Sequence, residues 1–261
     1  KNGMTEEQEY LLTSQNIKYK IFTSASPNTE LVEENERIFG DIYKEISVKE
    51  LIISKYLCGI VPFIFEVNDY NVDYCKTIVN DFKKYNRNWG LSFHTQCKNA
   101  FNMFYKHYLL YKNSDTDIKP FLLIGDNKEI KENDNYKEID LGYKFEEFKE
   151  YEKAHESMAY VVKKCDMGYD FDKIDYISLT DKKMSYSDII QCIGRGLRSD
   201  GLGVNGTNLK KELYLMIPTY MNEDNLNNYE DIINVIQYLQ FDIGLDWENI
   251  SCSCGSSGRT R

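Results

Sequence analysis

Short apolar runs of strand length alternate with amphipathic helical patterns along most of this 261-residue chain. The runs that we predict as strands cover residues 19–22, 62–67, 90–94, 121–124, 158–162, 176–179 and 213–217. The helical patterns cover residues 73–84, 96–108, 145–151, 186–197 and 229–239. Because strands joined through a helix run in the same direction, this alternation predicts an α/β fold, a parallel sheet with helices on both faces. In such sheets the loops at the carboxyl ends of the strands form the functional site.

The composition excludes several classes of protein. Hydrophobic residues make up 42% and charged residues 28%, which is typical of a globular chain and not of a disordered one. No apolar run reaches the roughly 18 residues of a membrane-spanning helix, so we expect no membrane partner. The net charge is −10, so no bulk basic field indicates nucleic-acid binding, although a local basic strip can still act in an acidic protein.

The cysteines and histidines favour a reducing environment. Seven cysteines are an odd number for a disulfide framework, and three scattered histidines do not assemble a zinc site. We therefore expect free thiols, no metal site and an intracellular protein. That location would be the cytoplasm or nucleoid, or a viral factory or virion if the source is a virus.

The segment SDIIQCIGRGLRSDG, residues 187–201, carries the most specific side-chain pattern. On a helix, Gln191, Arg195 and Arg198 lie within an arc of roughly 60°, opposite an aliphatic stripe. Paired guanidinium groups suit a phosphate, particularly the charge that develops on a transferring γ-phosphate. Gly194 weakens a helix, which indicates close approach of another backbone or of a ligand. The alternative is a solvated arginine face paired with carboxylates.

QCIGRGLR resembles the sixth motif of superfamily 2 helicases and translocases, which contains a glutamine, a Gly-Arg pair and a further arginine in that order. CDMGYDFDKIDYISL resembles the fifth motif, LSFHTQCKNAFNMF the fourth and IFTSASPN the third. IFGDIYKEISVKELIISKYLCGIVPF resembles the bridge between the two motor domains in the restriction-translocase-like branch. The five segments stand in the family's order within residues 19–198.

The resemblance implies a RecA-like second helicase lobe and assigns nucleotide contacts. Arg195 and Arg198 would be arginine fingers that reach the γ-phosphate of ATP held by the other lobe, and Gln191 would contact the phosphate or the attacking water. The Gly-x-Asp of the fifth motif matches Gly168 and Asp170, which would face the nucleotide at the cleft together with Gly194.

The resemblance also assigns DNA or RNA contacts and a coupling element. The fourth-motif loop, which contacts the nucleic-acid backbone in the family, matches Phe93, His94, Thr95 and Gln96. Backbone contacts from the fifth motif would involve Asp166 and Met167, although Met167 departs from the charged residue usual before the glycine. The element that couples hydrolysis to domain movement matches Ser24, Ala25 and Ser26.

Each assignment has a simpler structural interpretation. Gly168 and Asp170 fit a plain turn, and Ser24 and Ser26 are common turn formers. His94 fits a strand-end histidine with a backbone partner better than a direct phosphate contact. The helical stripe of Phe101, Phe104 and Tyr108 is more typical of core than of a base-stacking platform.

Two motifs of an ATP-driven motor are missing from the sequence. No G-x-x-x-x-G-K-[ST] loop is present, and no Asp-Glu pair precedes the third-motif match. We therefore expect ATP and Mg²⁺ to be bound mainly by a first RecA-like lobe, a partner encoded upstream. Residues 1–46 would be the end of that lobe, residues 47–250 the second RecA-like lobe, and residues 251–261, with Cys252 and Cys254, a flexible tail.

The sequence therefore predicts the C-terminal part of an ATP-dependent DNA or RNA helicase or translocase. The alternative is a non-catalytic RecA-like module that binds a protein partner, since a fold does not imply a function. An endonuclease-linked translocase would need a nuclease segment that the sequence lacks.

Overall fold

A computed structural model describes residues 6–14, 16–22, 29–40, 46–67, 74–162, 171–181, 186–198, 212–220, 228–245 and 251–254. The chain divides into two compact units, Lys1–Ile46 and Ser47–Arg261. The predicted site residues Ser24, Ala25, Ser26, Asp166, Met167, Gly168 and Asp170 lie outside the described residues.

The first unit contains three short helices, α1 (Glu6–Thr13), α2 (Thr29–Glu34) and α3 (Glu36–Phe39). Residues 19–22, which we predicted as a strand, adopt irregular backbone instead, so that prediction is wrong. A strand needs a neighbouring strand to pair with its backbone groups, and no described residue of this unit supplies one. Tyr19 and Ile21 are accordingly 76% and 88% exposed, while the Phe22 ring packs edge-on against Phe39 at 5.2 Å.

The second unit is a parallel sheet flanked by helices. Its strands are β1 (Gly59–Val67), β2 (Trp89–His94), β3 (Lys119–Leu123), β4 (Ser157–Val162), β5 (Tyr176–Leu179), β6 (Glu212–Tyr220) and β7 (Ser251–Cys254). Its helices are α4 (Val48–Ile53), α5 (Tyr74–Lys84), α6 (Cys97–Lys112), α7 (Lys128–Lys131), α8 (Asp134–Lys137), α9 (Phe148–Lys153), α10 (Tyr186–Leu197) and α11 (Asn228–Gln237), the last followed by a π-helical turn, Tyr238–Asp242.

The strands follow the order β3-β4-β2-β5-β6-β1-β7, and every pairing between them is parallel. The predicted α/β class, a parallel sheet with helices on both faces, is confirmed. Strand β7 corrects one prediction, because residues 251–254 belong to the sheet and not to a flexible tail. They pair with Phe63 to Glu66 of β1 at the edge of the sheet, where backbone groups of the edge strand are available.

Each face of the sheet carries its own apolar layer. On β6, Leu213, Leu215 and Ile217 pack into one layer, while Tyr214 and Met216 pack into the other. The first layer includes the buried sides of α10 and α11, and the second includes those of α5 and α6. Burial on both faces explains why the strands are almost continuously apolar in sequence.

Helix α6 packs on the second layer through the residues whose role the sequence left open. Phe101, Phe104 and Tyr108 are 4%, 0% and 2% exposed, so they belong to the core. His107 is also buried, and its Nδ1 lies 3.0 Å from the Tyr160 hydroxyl. Burial lowers the pKa of His107 to about 3, against the opposing effect of the Ile118 backbone, so the ring is neutral at pH 7.

Candidate functional site

The carboxyl end of β2 leads directly into α6 through Thr95 and Gln96. Both side chains are exposed, and Gln96 is the N-cap residue of α6 without making a side-chain cap hydrogen bond. Phe93 and His94 are 1% and 2% exposed. Of the four contacts predicted in the fourth-motif loop, therefore, only Thr95 and Gln96 present side chains to solvent, and a contact at Phe93 or His94 would have to use the backbone.

Asp181, which follows β5, holds this loop in place. Its Oδ2 accepts hydrogen bonds from the Thr95 backbone N–H at 2.8 Å, from the Thr95 hydroxyl at 2.9 Å and from Asn99 Nδ2 at 2.9 Å. Its Oδ1 lies 3.0 Å from Nδ1 of His94. One carboxylate thus joins the end of β5 to the end of β2 and the first turn of α6.

The charge of Asp181 is retained although the group is mostly buried. Burial acts to raise its pKa, but the hydrogen bonds and charge of His94, with the donors on Asn99 and Thr95, hold the pKa well below its usual range. The His94 partner is a carboxylate, not the backbone partner that the sequence suggested. Asp181 was not among the site residues predicted from the sequence. The sequence does show an acidic residue two positions beyond the end of β5, and this pattern could have identified Asp181 once β5 was known to neighbour β2.

Buried hydroxyl groups continue the network into the sheet. Ser92 Oγ lies 3.1 Å from Nε2 of His94 and 2.6 Å from Thr180 Oγ1, which in turn lies 3.1 Å from Ser178 Oγ. The order Ser92, His94, Asp181 is that of a hydrolase triad. Ser92 is 0% exposed, however, so its hydroxyl cannot reach a substrate, and the network joins β2 to β5 instead.

Helix α10 divides its two faces as the sequence predicted. Ile189, Cys192, Ile193 and Leu197 are buried against the sheet, at 0% or 1% exposure. On the other face Gln191 is exposed, and Arg195 and Arg198 are partly buried. Gln191, Arg195 and Arg198 therefore lie on the side of the helix opposite its buried face.

The segment before β1 anchors the carboxyl end of α10. The Cys58 backbone N–H donates to the Leu197 carbonyl at 2.9 Å, and the Cys58 thiol lies 3.4 Å from the Gly196 carbonyl. Leu57 and Arg198 form an antiparallel bridge. These contacts fix the backbone that carries both arginines and satisfy carbonyl groups that a helix end leaves without an intrahelical partner.

The two glycines of α10 serve different purposes. A Cβ on Gly196 would lie 2.5 Å from Leu213 Cδ1 and 2.6 Å from Ile177 Cδ1, so Gly196 allows the helix to pack closely on β5 and β6. A Cβ on Gly194 would meet no described atom within 4 Å. Close approach of another part of the chain, one of the two reasons that we predicted for Gly194, therefore occurs at Gly196, and no described atom approaches Gly194 in this way.

We expect opposite effects when each glycine is replaced by alanine. Gly196→Ala destabilises the fold by about 1–3 kcal/mol, because the methyl group overlaps two core side chains. Gly194→Ala leaves stability unchanged or raises it by up to about 1 kcal/mol, since alanine favours the helix. Urea denaturation of both variants measures the difference, and equal destabilisation by the two would contradict the packing seen here.

The arginine face and the Thr95–Gln96 loop lie at different ends of the sheet. Gly196 packs on Ile177 and Leu213, which are the second residues of β5 and β6, so the end of α10 lies over the starts of these strands. Thr95 and Gln96 follow the carboxyl end of β2. The candidate site thus has two separate surfaces, and only the loop follows the expectation that site residues gather at the carboxyl ends of strands.

Three further properties concern the described residues alone. They include no group of three or more His, Cys, Asp or Glu side chains that could hold a metal ion. None of their helices has the length and apolar character required to cross a membrane. Cys58, Cys75, Cys97 and Cys192 form no disulfide bond.

Comparison with solved structures relates this architecture to helicases. The fold is similar to the DNA-bound ATP-dependent Type ISP restriction-modification enzyme LlaBIII, with a TM-score of 0.55, 13% identity and 86% of this chain covered. It is also similar to S. cerevisiae Dbp5 bound to RNA and ADP BeF3, with a TM-score of 0.53, 12% identity and 88% covered. The chain has a RecA-like α/β fold. A fragment of a putative type I restriction enzyme HsdR subunit from Vibrio vulnificus YJ016 matches with a TM-score of 0.50, 13% identity and 88% covered.

This chain corresponds to only part of those proteins. The chain spans 17% of the restriction-modification enzyme, 50% of Dbp5 and 42% of the HsdR fragment. No protein-family model matches the sequence, and no curated protein matches it. The likeness therefore lies in the fold, as the motif resemblance implied, at 12–13% identity.

Proposed function

We propose that this chain is the C-terminal lobe of an ATP-dependent helicase or translocase that acts on DNA or RNA. The observation that carries the proposal is the geometry of α10. One face is buried in the core, and the other presents Gln191, Arg195 and Arg198 from a backbone anchored by Leu57 and Cys58.

The arginine face has the chemistry of a phosphate clamp. Two guanidinium groups three residues apart on one helix face can each donate two parallel hydrogen bonds to the oxygens of a phosphate. A rigid helix holds them ready for charge that develops on a terminal phosphate, which is how arginine fingers act. No described atom lies within 4 Å of a Cβ built on Gly194, so the described residues leave room there for a nucleotide bound by a second lobe.

The residues present in this chain decide which nucleotide contacts we assign to it and which we assign to the first lobe. Arg195, Arg198 and Gln191 would contact the phosphates, while Gly168 and Asp170 remain proposed cleft residues. We assign Mg²⁺ and the phosphate-binding loop to the first lobe, because the described residues offer no metal cluster and the sequence has no Walker-type loop. Ser24, Ala25 and Ser26 remain the proposed coupling element.

The Thr95–Gln96 loop is the proposed nucleic-acid contact. Its two exposed side chains and the adjoining first turn of α6 lie at the carboxyl edge of the sheet, held there by Asp181. Backbone contacts from Asp166 and Met167 would extend this surface. Such contacts position a strand without reading its sequence, which suits a motor that moves along any sequence.

The chain alone should bind single-stranded nucleic acid weakly, with an affinity that falls as salt rises, and should hydrolyse ATP negligibly. Fluorescence anisotropy with labelled DNA and RNA oligonucleotides measures the first property, and phosphate release measures the second. Turnover stimulated by nucleic acid would refute the assignment of the phosphate-binding loop to another lobe. Binding that is absent at every salt concentration would favour the non-catalytic scaffold function.

A further inference from the structure

Helix α5 carries a carboxylate at the margin of its buried face. That face consists of Tyr74, Cys75, Ile78, Val79 and Phe82. Asp81 follows Tyr74 by seven residues, which places the two within about 20° of each other around the helix. Asp81 is the only acidic residue of α5, and it is partly buried. A carboxylate in this position needs polar partners, because burial penalises its charged form.

Asp81 has few such partners. The Tyr176 hydroxyl, on a side chain that is 0% exposed, donates to Asp81 Oδ2 at 3.3 Å. The carboxylate forms no ion pair with any described Lys, Arg or His side chain. Lys84 acts on it only at longer range, and its Nζ lies 5.0 Å from the centre of the Tyr85 ring. The charge of Asp81 is therefore compensated less well than that of Asp181, which has four polar contacts.

The Tyr176 hydroxyl lies between two acceptors. Its oxygen is 3.3 Å from Asp81 Oδ2 and 3.1 Å from Met216 Sδ. A hydroxyl has a single proton, so beside an ionised Asp81 it serves one acceptor at a time. A protonated Asp81 instead donates to the Tyr176 oxygen, which leaves the hydroxyl proton for the thioether. The cluster thus makes two hydrogen bonds when Asp81 is protonated and one when it is ionised.

Asp81 is the group of this cluster that titrates near neutral pH. Burial raises the pKa of Tyr176 and of Tyr214, so both phenols stay neutral at pH 7. The described titratable or charged groups around the pair are Tyr74 and Lys84 of α5, Tyr85 and Arg87 after it, Asp175 before β5, and Tyr214 of β6. Arg87 stacks on the Tyr214 ring at 5.2 Å, and Asp175 accepts from the backbone N–H groups of Asn88 and Trp89.

Burial raises the pKa of Asp81 to about 6, against the opposing effects of the Tyr176 hydrogen bond and the Lys84 charge. Because this value lies above the unfolded pKa of about 3.9, the folded chain holds the proton more tightly than the unfolded chain does. The stabilisation is complete below about pH 4 and is lost as the pH rises through 6. Asp81 therefore has the opposite sign to Asp181.

We propose that Asp81 and Tyr176 form a pH-sensitive latch that holds the carboxyl half of α5 on β5 and β6, firmly when Asp81 is protonated and more weakly when it is ionised. Ring contacts carry the effect into the sheet, since Phe82 packs edge-on against Tyr176 at 5.3 Å and Tyr176 stacks with Tyr214 at 6.2 Å. The latch is independent of the proposed function and requires no nucleotide or nucleic acid.

Urea denaturation of the chain from pH 5 to pH 8 tests the latch. Asp81→Asn keeps the shape and removes the titration, while the control Asp117→Asn removes the same charge from an exposed ion pair with Lys83. We expect the unfolding constant of the unaltered chain, divided by that of Asp81→Asn, to rise roughly fivefold between pH 5 and 8, because partial exposure moderates the effect. The ratio to Asp117→Asn should stay constant.

Two measurements locate the effect and do not depend on the stability of Asp81→Asn. The carboxyl carbon of Asp81 in the unaltered chain, followed by NMR, should titrate with a midpoint near pH 6, and Tyr176→Phe should move that midpoint upward. Hydrogen exchange, corrected for intrinsic rates, should show that the amides of α5 lose protection between pH 6 and 8 while those of α6 do not. A constant ratio for Asp81→Asn, a midpoint below about pH 5, or an equal loss of protection in α6 would each overturn the proposal.

Discussion

Alanine at Arg195 should lower the ATP turnover of an intact motor containing this lobe by roughly 10³-fold, while nucleotide binding is largely retained. The same loss is expected for Arg198→Ala. In the proposed function, a guanidinium group on this face of α10 would stabilise charge that develops only as the terminal phosphoryl group is transferred, so its removal should affect kcat more than ATP affinity. Steady-state kinetics with saturating nucleic acid, together with equilibrium binding of a fluorescent ATP analogue, measures both quantities.

Lysine at the same position makes the test more specific. Arg195→Lys keeps the positive charge but loses the two-pronged donor geometry, so we expect most of the turnover to be lost. Lys153→Ala, which removes an exposed ion-paired lysine, serves as the inert control. Thermal melting of each variant shows whether the fold is retained. Turnover that is unchanged in folded Arg195 and Arg198 variants would remove the arginine-finger assignment.

Asp181→Ala should reduce the free energy of unfolding by about 3 kcal/mol, the largest stability loss expected from a single carboxylate of the site. The substitution leaves His94, the Thr95 backbone N–H and Asn99 without their shared acceptor, and the His94 side chain is fully buried. Urea denaturation measures the loss. The control is Asp117→Ala, which breaks an exposed ion pair with Lys83 and should change stability by less than about 1 kcal/mol.

The lowered pKa of Asp181 determines how its contribution to the free energy of unfolding changes with pH. Because its pKa is lower in the folded state than in the unfolded chain, its contribution is present above the unfolded pKa of about 3.9 and is lost as the pH falls below it. The stability difference between the unaltered chain and Asp181→Ala should therefore shrink on acidification below about pH 4. A difference that is small at pH 7, or that grows on acidification, would contradict the network described here.

Much of the second unit could be predicted from local sequence. The apolar runs at 90–94, 158–162 and 176–179 are strands, and the periodic segments at 73–84 and 186–197 are helices, within a residue or two of their observed ends. Strands buried on both faces and helices with one apolar side have distinct sequence periods, so these elements are visible without a partner. The division of α10 into a buried and a presented face followed from the same periodicity.

The errors occurred where pairing with distant residues decides the conformation. Residues 19–22 have the composition of a strand but no described neighbour to pair with, whereas residues 251–254 look like a polar tail and pair with β1. Strand formation depends on hydrogen bonds to another segment, and single-segment patterns do not reveal that segment. The buried ring of His94 and its bond to Asp181 depend in the same way on β2 and β5 being neighbours.

Local periodicity alone thus determined the α/β class and the side of α10 that carries Gln191, Arg195 and Arg198. Tertiary structure decided which glycine of α10 is packed, which residue holds the Thr95–Gln96 loop, and how far that loop lies from the arginines. The physical reason is the strand order, which places β2 beside β5 although some 80 residues separate them in sequence. Contacts of that kind arise only when the sheet assembles, because they join residues that share no local pattern.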